Sequence, residues 1–218
     1  RWAAGEALLS RALQGEDLSA AFDSVRAAGR LPLGVPGKCF YEGLIPEVAA
    51  LQTHADALRS GSRLEALEID AEIDGTRVTG LIRDLWNVGQ VRCQYARIGA
   101  RWELGMWIRH VVLNWSDPPS SLRRTVLVGR PKKGSGVAMA SFRPLDDPRA
   151  VLAELLRLYW LGHRHPLPLF PETSRVYAQA IAKAGGADQR AKALELAHKE
   201  FEGWSGSSMP AEANDPDV

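Results

Sequence analysis

Leu64-Glu65-Ala66-Leu67-Glu68-Ile69-Asp70-Ala71-Glu72-Ile73-Asp74-Gly75 opens the stretch that decides the fold, and Val91-Arg92-Cys93-Gln94-Tyr95 closes it. Leu67, Ile69, Ala71 and Ile73 alternate with Glu68, Asp70, Glu72 and Asp74. That period of two puts apolar side chains on one face of a strand and carboxylates on the other. Asp74-Gly75 is a tight hairpin signal. Arg77 to Trp86 reads as the returning strand, Asn87-Val88-Gly89 as a second turn, and Gln90 to Arg97 as a third strand. On the third strand Arg92 and Gln94 share one face, and Val91, Cys93 and Tyr95 share the other.

Helices surround this meander. Trp2 to Leu13 and Asp17 to Ala28 read as two helices, divided by Gly15 and stopped by Gly29. Leu31 to Lys38 carries two prolines and two glycines and reads as a linker. Phe40 to Leu58 is a helix with Leu44, Val48, Leu51 and Ala55 on one face, and Pro46 marks a break or a first turn. After the meander, Trp102 to Asn114 is helical. Two further strands follow, Thr125 to Val128 and Val137 to Phe142, joined by the basic loop Gly129 to Gly136. Asp147-Pro148 caps the next helix, which stops at Gly162. Two more helices run from Glu172 to Ala184 and from Asp188 to Trp204.

The expected fold class is therefore α+β, with one central mixed sheet of about five strands flanked by helices. Residues 1–37 read as a helical lead-in, 38–204 as the main domain, and 205–218 as an acidic, disordered tail.

Hydrophobic residues make up 45% of the 218 and charged ones 24%, ordinary for a soluble globular protein large enough to bury a core. Net charge is +1, but it is unevenly spread. Leu64 to Asp74 holds five acids and no base, whereas Arg77 to His110 holds six arginines against Asp84 and Glu103. Cys39 and Cys93 lack metal-ligand spacing and are too few for a disulfide framework, which suits a reducing compartment. No apolar run approaches the roughly 20 residues of a membrane span, and no signal peptide is present. Cytoplasmic localisation without membrane contact is the expectation. The chain starts inside a helix without methionine, so it reads as part of a longer protein.

Gly80-Leu81-Ile82-Arg83, followed by the strand Val91-Arg92-Cys93-Gln94-Tyr95 in a meander-then-helix order, resembles the PD-(D/E)XK nuclease fold. Active members carry a glycine-x-isoleucine-aspartate segment and then a strand with acid-x-lysine. By that resemblance the first aspartate falls on Arg83, the second acid on Arg92 and the lysine on Gln94. All three are lost, and Asp84 is one residue out of step, which points it to the other face. Leu104-Gly105-Met106-Trp107-Ile108-Arg109-His110 and the run from Leu158 to Ser174 (LYWLGHRHPLPLFPETS) resemble the C-terminal domain of the RecC chain, the gamma subunit of exodeoxyribonuclease V. The resemblance implies a nuclease-like fold that has lost its metal site, in a bacterial helicase-nuclease that processes double-strand breaks. It further implies RecB-like and RecD-like chains and DNA as partners, no catalytic residue, no cofactor and no metal.

Chemistry supports the loss. Two-metal phosphodiester cleavage needs carboxylate oxygens around Mg²⁺ and a cation beside the developing charge, and an arginine at an acid position repels the metal. The expected role is a non-catalytic scaffold that guides DNA. Candidate DNA contacts are Arg83, Arg92, Arg97, Arg123, Arg124, Arg130, Lys132 and Lys133, the last five read together as one basic hairpin tip. The alternative is that these are solvated strand faces and loops, with the arginines paired to the acidic strand. Two rival functions stand beside it: a divergent active nuclease using Asp70, Asp74 and Asp84, or an interaction domain that never touches DNA.

Gly129 to Ser135 (GRPKKGS) has Gly-x4-Gly spacing, but serine stands where a phosphate-loop lysine belongs, so nucleotide binding is rejected. His163 and His165 have no neighbouring acid or cysteine to complete a coordination sphere. Glu47 and His54 read as surface positions of an amphipathic helix. Of the seven tryptophans, Trp107, Trp115, Trp160 and Trp204 are candidate partner contacts, with core packing the more frequent outcome, and the expected one, for Trp107 and Trp160.

Overall fold

The computed structural model describes residues 2–183 and 189–203. The disordered-tail expectation for 205–218 and the candidate Trp204 lie outside them. Within the described residues, 2–98 with 106–156 form one compact unit, and 99–105 with 157–183 and 189–203 form another.

The first unit is built on a mixed sheet of β3 (Leu85–Trp86), β4 (Gly89–Arg97), β5 (Thr125–Arg130) and β6 (Ala138–Phe142), in that order. Only the β4–β5 pair is parallel, because α4 (Ala100–Trp115) carries the chain across between them. The strands β1 (Leu67–Ile73) and β2 (Thr76–Ile82) form a hairpin of their own. The α+β class holds, but the single five-stranded sheet is corrected to four strands plus two. The cause is local. Asp84 adopts a left-handed backbone with φ 60°, which breaks the stretch Arg77 to Trp86 into β2 and β3. The hairpin turn is as the sequence predicts, with Asp74 and Gly75 both at positive φ (48° and 77°), the conformation of a type I′ turn.

Helices α1 (Trp2–Ala12) and α3 (Val35–Leu58) cover one face of the sheet. Leu8, Leu9, Leu44, Val48 and Leu51 pack there with Tyr95, Val126 and Val128. Met106 of α4 meets Leu127 and Ile98 on the opposite face. With cover on both sides, β5 is buried from Thr125 through Gly129. The hairpin packs against α4 through Ile69, Ile82 and Leu113, and through Ile73, Val111 and Leu152 of α5 (Pro148–Gly162).

Two helix boundaries differ from expectation. α3 starts at Val35, inside the supposed linker, because Pro36 sits in the first turn, where a missing N–H is not needed. The helix also runs through Pro46, losing one backbone bond without ending. The second helix, expected from Asp17, is reduced to α2 (Phe22–Ala27). The Asp17 carboxylate instead accepts the Ser19 N–H at 2.8 Å, an Asx turn that competes with helix formation.

The second unit pairs α6 (Pro171–Lys183) with α7 (Gln189–Glu202), where Ala193 and Ala197 are buried. The Phe170 and Phe201 rings meet at a tilt of 55° with centres 4.7 Å apart. Glu172 accepts the Ala100 N–H at 2.7 Å, and Arg175 bridges Glu172 (2.8 Å) and Glu103 (3.2 Å).

Candidate nucleic-acid interface

Of the three positions matched to a nuclease triad, Arg83 is exposed, and its carbonyl accepts a 2.8 Å bond from the Gln90 amide. The next residue, Asp84, is clamped by Arg63 (3.1 Å) and Arg92 (3.2 Å). Gln94 is only 4% exposed, so it does not share a solvated polar face with Arg92. The strand is internal to the sheet and covered on both sides, which overrides the alternation expected of a half-buried strand. The other acids of the rival nuclease reading are also paired. Asp70 takes both ends of the Arg77 guanidinium at 2.7 Å, which holds its carboxyl below the usual carboxylate range. Asp74 meets Arg149 at 3.2 Å.

The ends of the parallel pair separate the cationic candidates. Residues Arg97 and Arg130 stand opposite each other where β4 and β5 finish. The loop 131–136 follows directly, bringing in Lys132 and Lys133. Arg123 and Arg124 lie at the other end of β5, about 17 Å away for six residues of strand. The single basic hairpin tip is therefore corrected to two sites. Arg123 donates to the Pro118 carbonyl at 3.2 Å and pairs with Asp117, while Arg124 reaches the Ser141 hydroxyl at 3.4 Å.

At the first of these ends a cleft of about 260 Å³ is lined by Glu47, Arg97, Arg130 and the loop residues Pro131, Gly134, Ser135 and Gly136. Its floor is a three-residue polar assembly. The Tyr95 hydroxyl donates to the Glu47 carboxylate, and the Arg130 guanidinium donates to both, at 3.2 Å to Glu47 and 3.1 Å to Tyr95. The guanidinium lies 4.0 Å from the Tyr95 ring centre, a cation–π distance. Arg97 donates to the Lys132 carbonyl at 2.8 Å and so ties down the loop. Glu47 is thus a member of the site and not a plain surface position. Its partners come from 48 and 83 residues away, a juxtaposition with no local sequence signal.

Cys93 lies below, with its thiol pushed up to about 12 by burial, so it stays protonated and unreactive. A second polar network stands behind the sheet. His110 is fully buried, with Nδ1 2.9 Å from the Thr125 hydroxyl and Nε2 2.8 Å from the Arg143 carbonyl. Burial holds its pKa below the usual histidine value. His54 bonds back to its own helix at 2.8 Å, and His163 and His165 are exposed. Trp107 and Trp115 pack into the apolar layer around α4, whereas Trp160, expected in the core, is 49% exposed.

The RecC C-terminal domain family matches residues 1–182. The chain is 32% identical over 180 residues to the RecBCD enzyme subunit RecC of Mycobacterium tuberculosis (strain H37Rv), covering 82% of this chain and 16% of the relative. It is 31% identical over 193 residues to that of Mycolicibacterium smegmatis, covering 88% and 17%. Against that of Escherichia coli K12 it is 26% identical over 186 residues, covering 84% and 16%. The chain spans about a sixth of the length of these relatives. With the family matched over 182 of 218 residues, this chain belongs to the RecC C-terminal domain family.

Proposed function

We propose that this domain is a non-catalytic scaffold of a RecBCD-type helicase-nuclease that guides DNA over its basic surfaces, working in the cytoplasm beside RecB-like and RecD-like chains. The observation that carries the reading is the cleft at the end of β4 and β5. Arg130 already balances Glu47, so Arg97 and the neighbouring Lys133 leave that rim with net positive charge. Phosphates are the natural counterpart of such a rim. The lack of catalysis is supported by the carboxylates. Glu47 and Asp84, which reach side chains of β4, are both held by arginines, so cations stand where a divalent metal would need open oxygens. No helix among the described residues is long and apolar enough to cross a membrane.

The test is binding of a forked duplex by the 218-residue chain across a range of salt. Arg97→Gln and Lys133→Gln should each lower the salt slope by about 0.9 for every phosphate the variant no longer neutralises. Arg92→Gln should lower the slope less than Arg97→Gln, because Arg92 shares the Asp84 carboxylate with Arg63. Absent or salt-independent binding would remove DNA guidance and leave a protein-interaction domain. Mg²⁺-dependent cleavage of linear DNA, abolished by Asp84→Ala, would sink the non-catalytic assignment.

A further inference from the structure

We propose that the end of α5 and the loop behind it form a stacking platform for unpaired nucleobases. The proposal rests on the DNA-guiding reading and adds a second, chemically different mode of binding to it. Three rings gather at this place. Tyr159 and Trp160 meet edge to face at 5.4 Å and 74°, Tyr159 and His163 at 4.5 Å and 80°, and Trp160 and His163 lie 5.8 Å apart at 45°. Tyr159 is 56% and Trp160 49% exposed, and residues 159–166 are exposed without interruption. The rings brace one another without being buried.

The backbone fixes this arrangement. His163 N donates to the Tyr159 carbonyl at 3.2 Å, and Arg164 N and His165 N both donate to the Leu161 carbonyl at 2.9 Å. The loop that carries His163 is thereby held to the last turn of the helix. The rings are pre-ordered, so a ligand meets them without first paying to arrange them.

Charge decides which ligand fits. From Leu158 to Phe170 the sequence holds Arg164, His163 and His165 and no acid. An apolar protein partner has no use for a cationic border, whereas a polyanion with flat π faces uses both parts. Single-stranded nucleic acid is that ligand, binding through base–aromatic stacking with cations along the backbone. Bases within a duplex have their faces covered by neighbours, so the platform should discriminate in favour of unpaired ones.

The experiment titrates the 218-residue chain with a thymidine oligonucleotide of about a dozen residues and, separately, with a duplex of equal length. Tryptophan emission and anisotropy report binding. The oligonucleotide should quench emission, and Trp160→Phe should remove most of the quench. The pair Tyr159→Leu with Trp160→Leu should weaken oligonucleotide binding by roughly 5- to 150-fold for one base left unstacked. Its salt slope and its duplex affinity should stay unchanged. Wild-type binding with no loss in the aromatic variants would overturn the platform while leaving the cationic rim intact, as would equal loss for oligonucleotide and duplex. Failure of the wild type to bind either DNA would bring down the guiding reading and the platform together. Should the double leucine variant misfold, Trp160→Phe decides: a quench as large as that of wild type refutes the platform.

Discussion

Gly5→Ala is expected to destabilise this domain, although glycine to alanine within a helix ordinarily stabilises by about 1 kcal/mol. Gly5 lies on the buried face of α1, directly against the Tyr95 ring. A Cβ added there would stand 2.1 Å from Cε1 and 2.2 Å from Cδ1 of that ring. Carbon atoms pack at about 3.5–4.0 Å, so the ring must move by more than an ångström. It has nowhere to go. Tyr95 is fully buried, its hydroxyl is bonded to Glu47, and Arg130 lies against its face. Overpacking costs about 1–3 kcal/mol, and pulling the hydroxyl from a carboxylate adds about 1.5–3. After the helix gain is subtracted, a net loss of about 1.5–5 kcal/mol remains, or a fall in melting temperature of roughly 3–20 °C for a chain of this size. Thermal and urea unfolding followed by circular dichroism measure it. The decisive control is the same substitution in a Tyr95→Leu background, where the ring is gone and Gly5→Ala should become neutral or stabilising. An equal cost in both backgrounds would refute the collision argument, and so would a single variant as stable as wild type.

Two further outcomes follow from the polar networks. His110 is held neutral by burial, so its pKa is lower in the fold than in the unfolded chain. Its contribution is present above the unfolded value of about 6.5 and is lost as pH falls toward the lowered folded one. Between neutral pH and about pH 5, wild type should lose more stability than His110→Gln; parallel losses in the two proteins would contradict this. Arg130→Met removes the cation from the Glu47 carboxylate, whose side chain is 30% exposed and keeps the Tyr95 hydroxyl, and should cost about 2–3 kcal/mol. Arg97→Met should cost less than about 1 kcal/mol, because that exposed side chain donates to a single carbonyl. Equal costs in urea titrations would mean that the cleft floor does not brace the fold.

What the sequence reveals and what it conceals divide along the range of the interactions. The hairpin at Asp74-Gly75 and the Asp147-Pro148 helix start are local, with Ala150 N bonding back to Asp147 at 3.0 Å, and both are legible. The break at Asp84 is not. The run from Arg77 to Trp86 keeps strand composition throughout, and the left-handed residue is held by Arg63 and Arg92 from outside the run. Pro36 and Pro46 read as punctuation, yet the apolar stripe Tyr41, Leu44, Val48, Leu51 and Ala55 carries the helix past the second of them. Packing outweighs one missing backbone bond. Gln94 reads as solvated because alternation assumes one wet face, and it is buried because α1, α3 and α4 dry both. The clustering of Arg123 and Arg124 with the loop lysines fails for a simpler reason. Neighbours in sequence across a strand are neighbours in space only if the strand is short.

The same distinction sharpens which cations present a net charge to phosphate. A charge already matched by a carboxylate adds little field beyond a few ångströms, whatever its exposure. Arg77 is matched by Asp70, Arg123 by Asp117, Arg130 by Glu47 and Arg149 by Asp74, while Arg63 and Arg92 share the single carboxylate of Asp84. Arg97 and Arg124 instead donate to a carbonyl and a hydroxyl, partners that orient a guanidinium without cancelling its charge. Positive charge on this unit therefore does two separate jobs. Arg63 and Arg92 hold Asp84, while Arg97 at one end of the strand pair and Arg124 at the other present their charge to solvent. A carboxylate placed at position 92 would face Asp84 with a like charge and leave Arg63 in place. Repulsion and a retained guanidinium would follow, not a metal site.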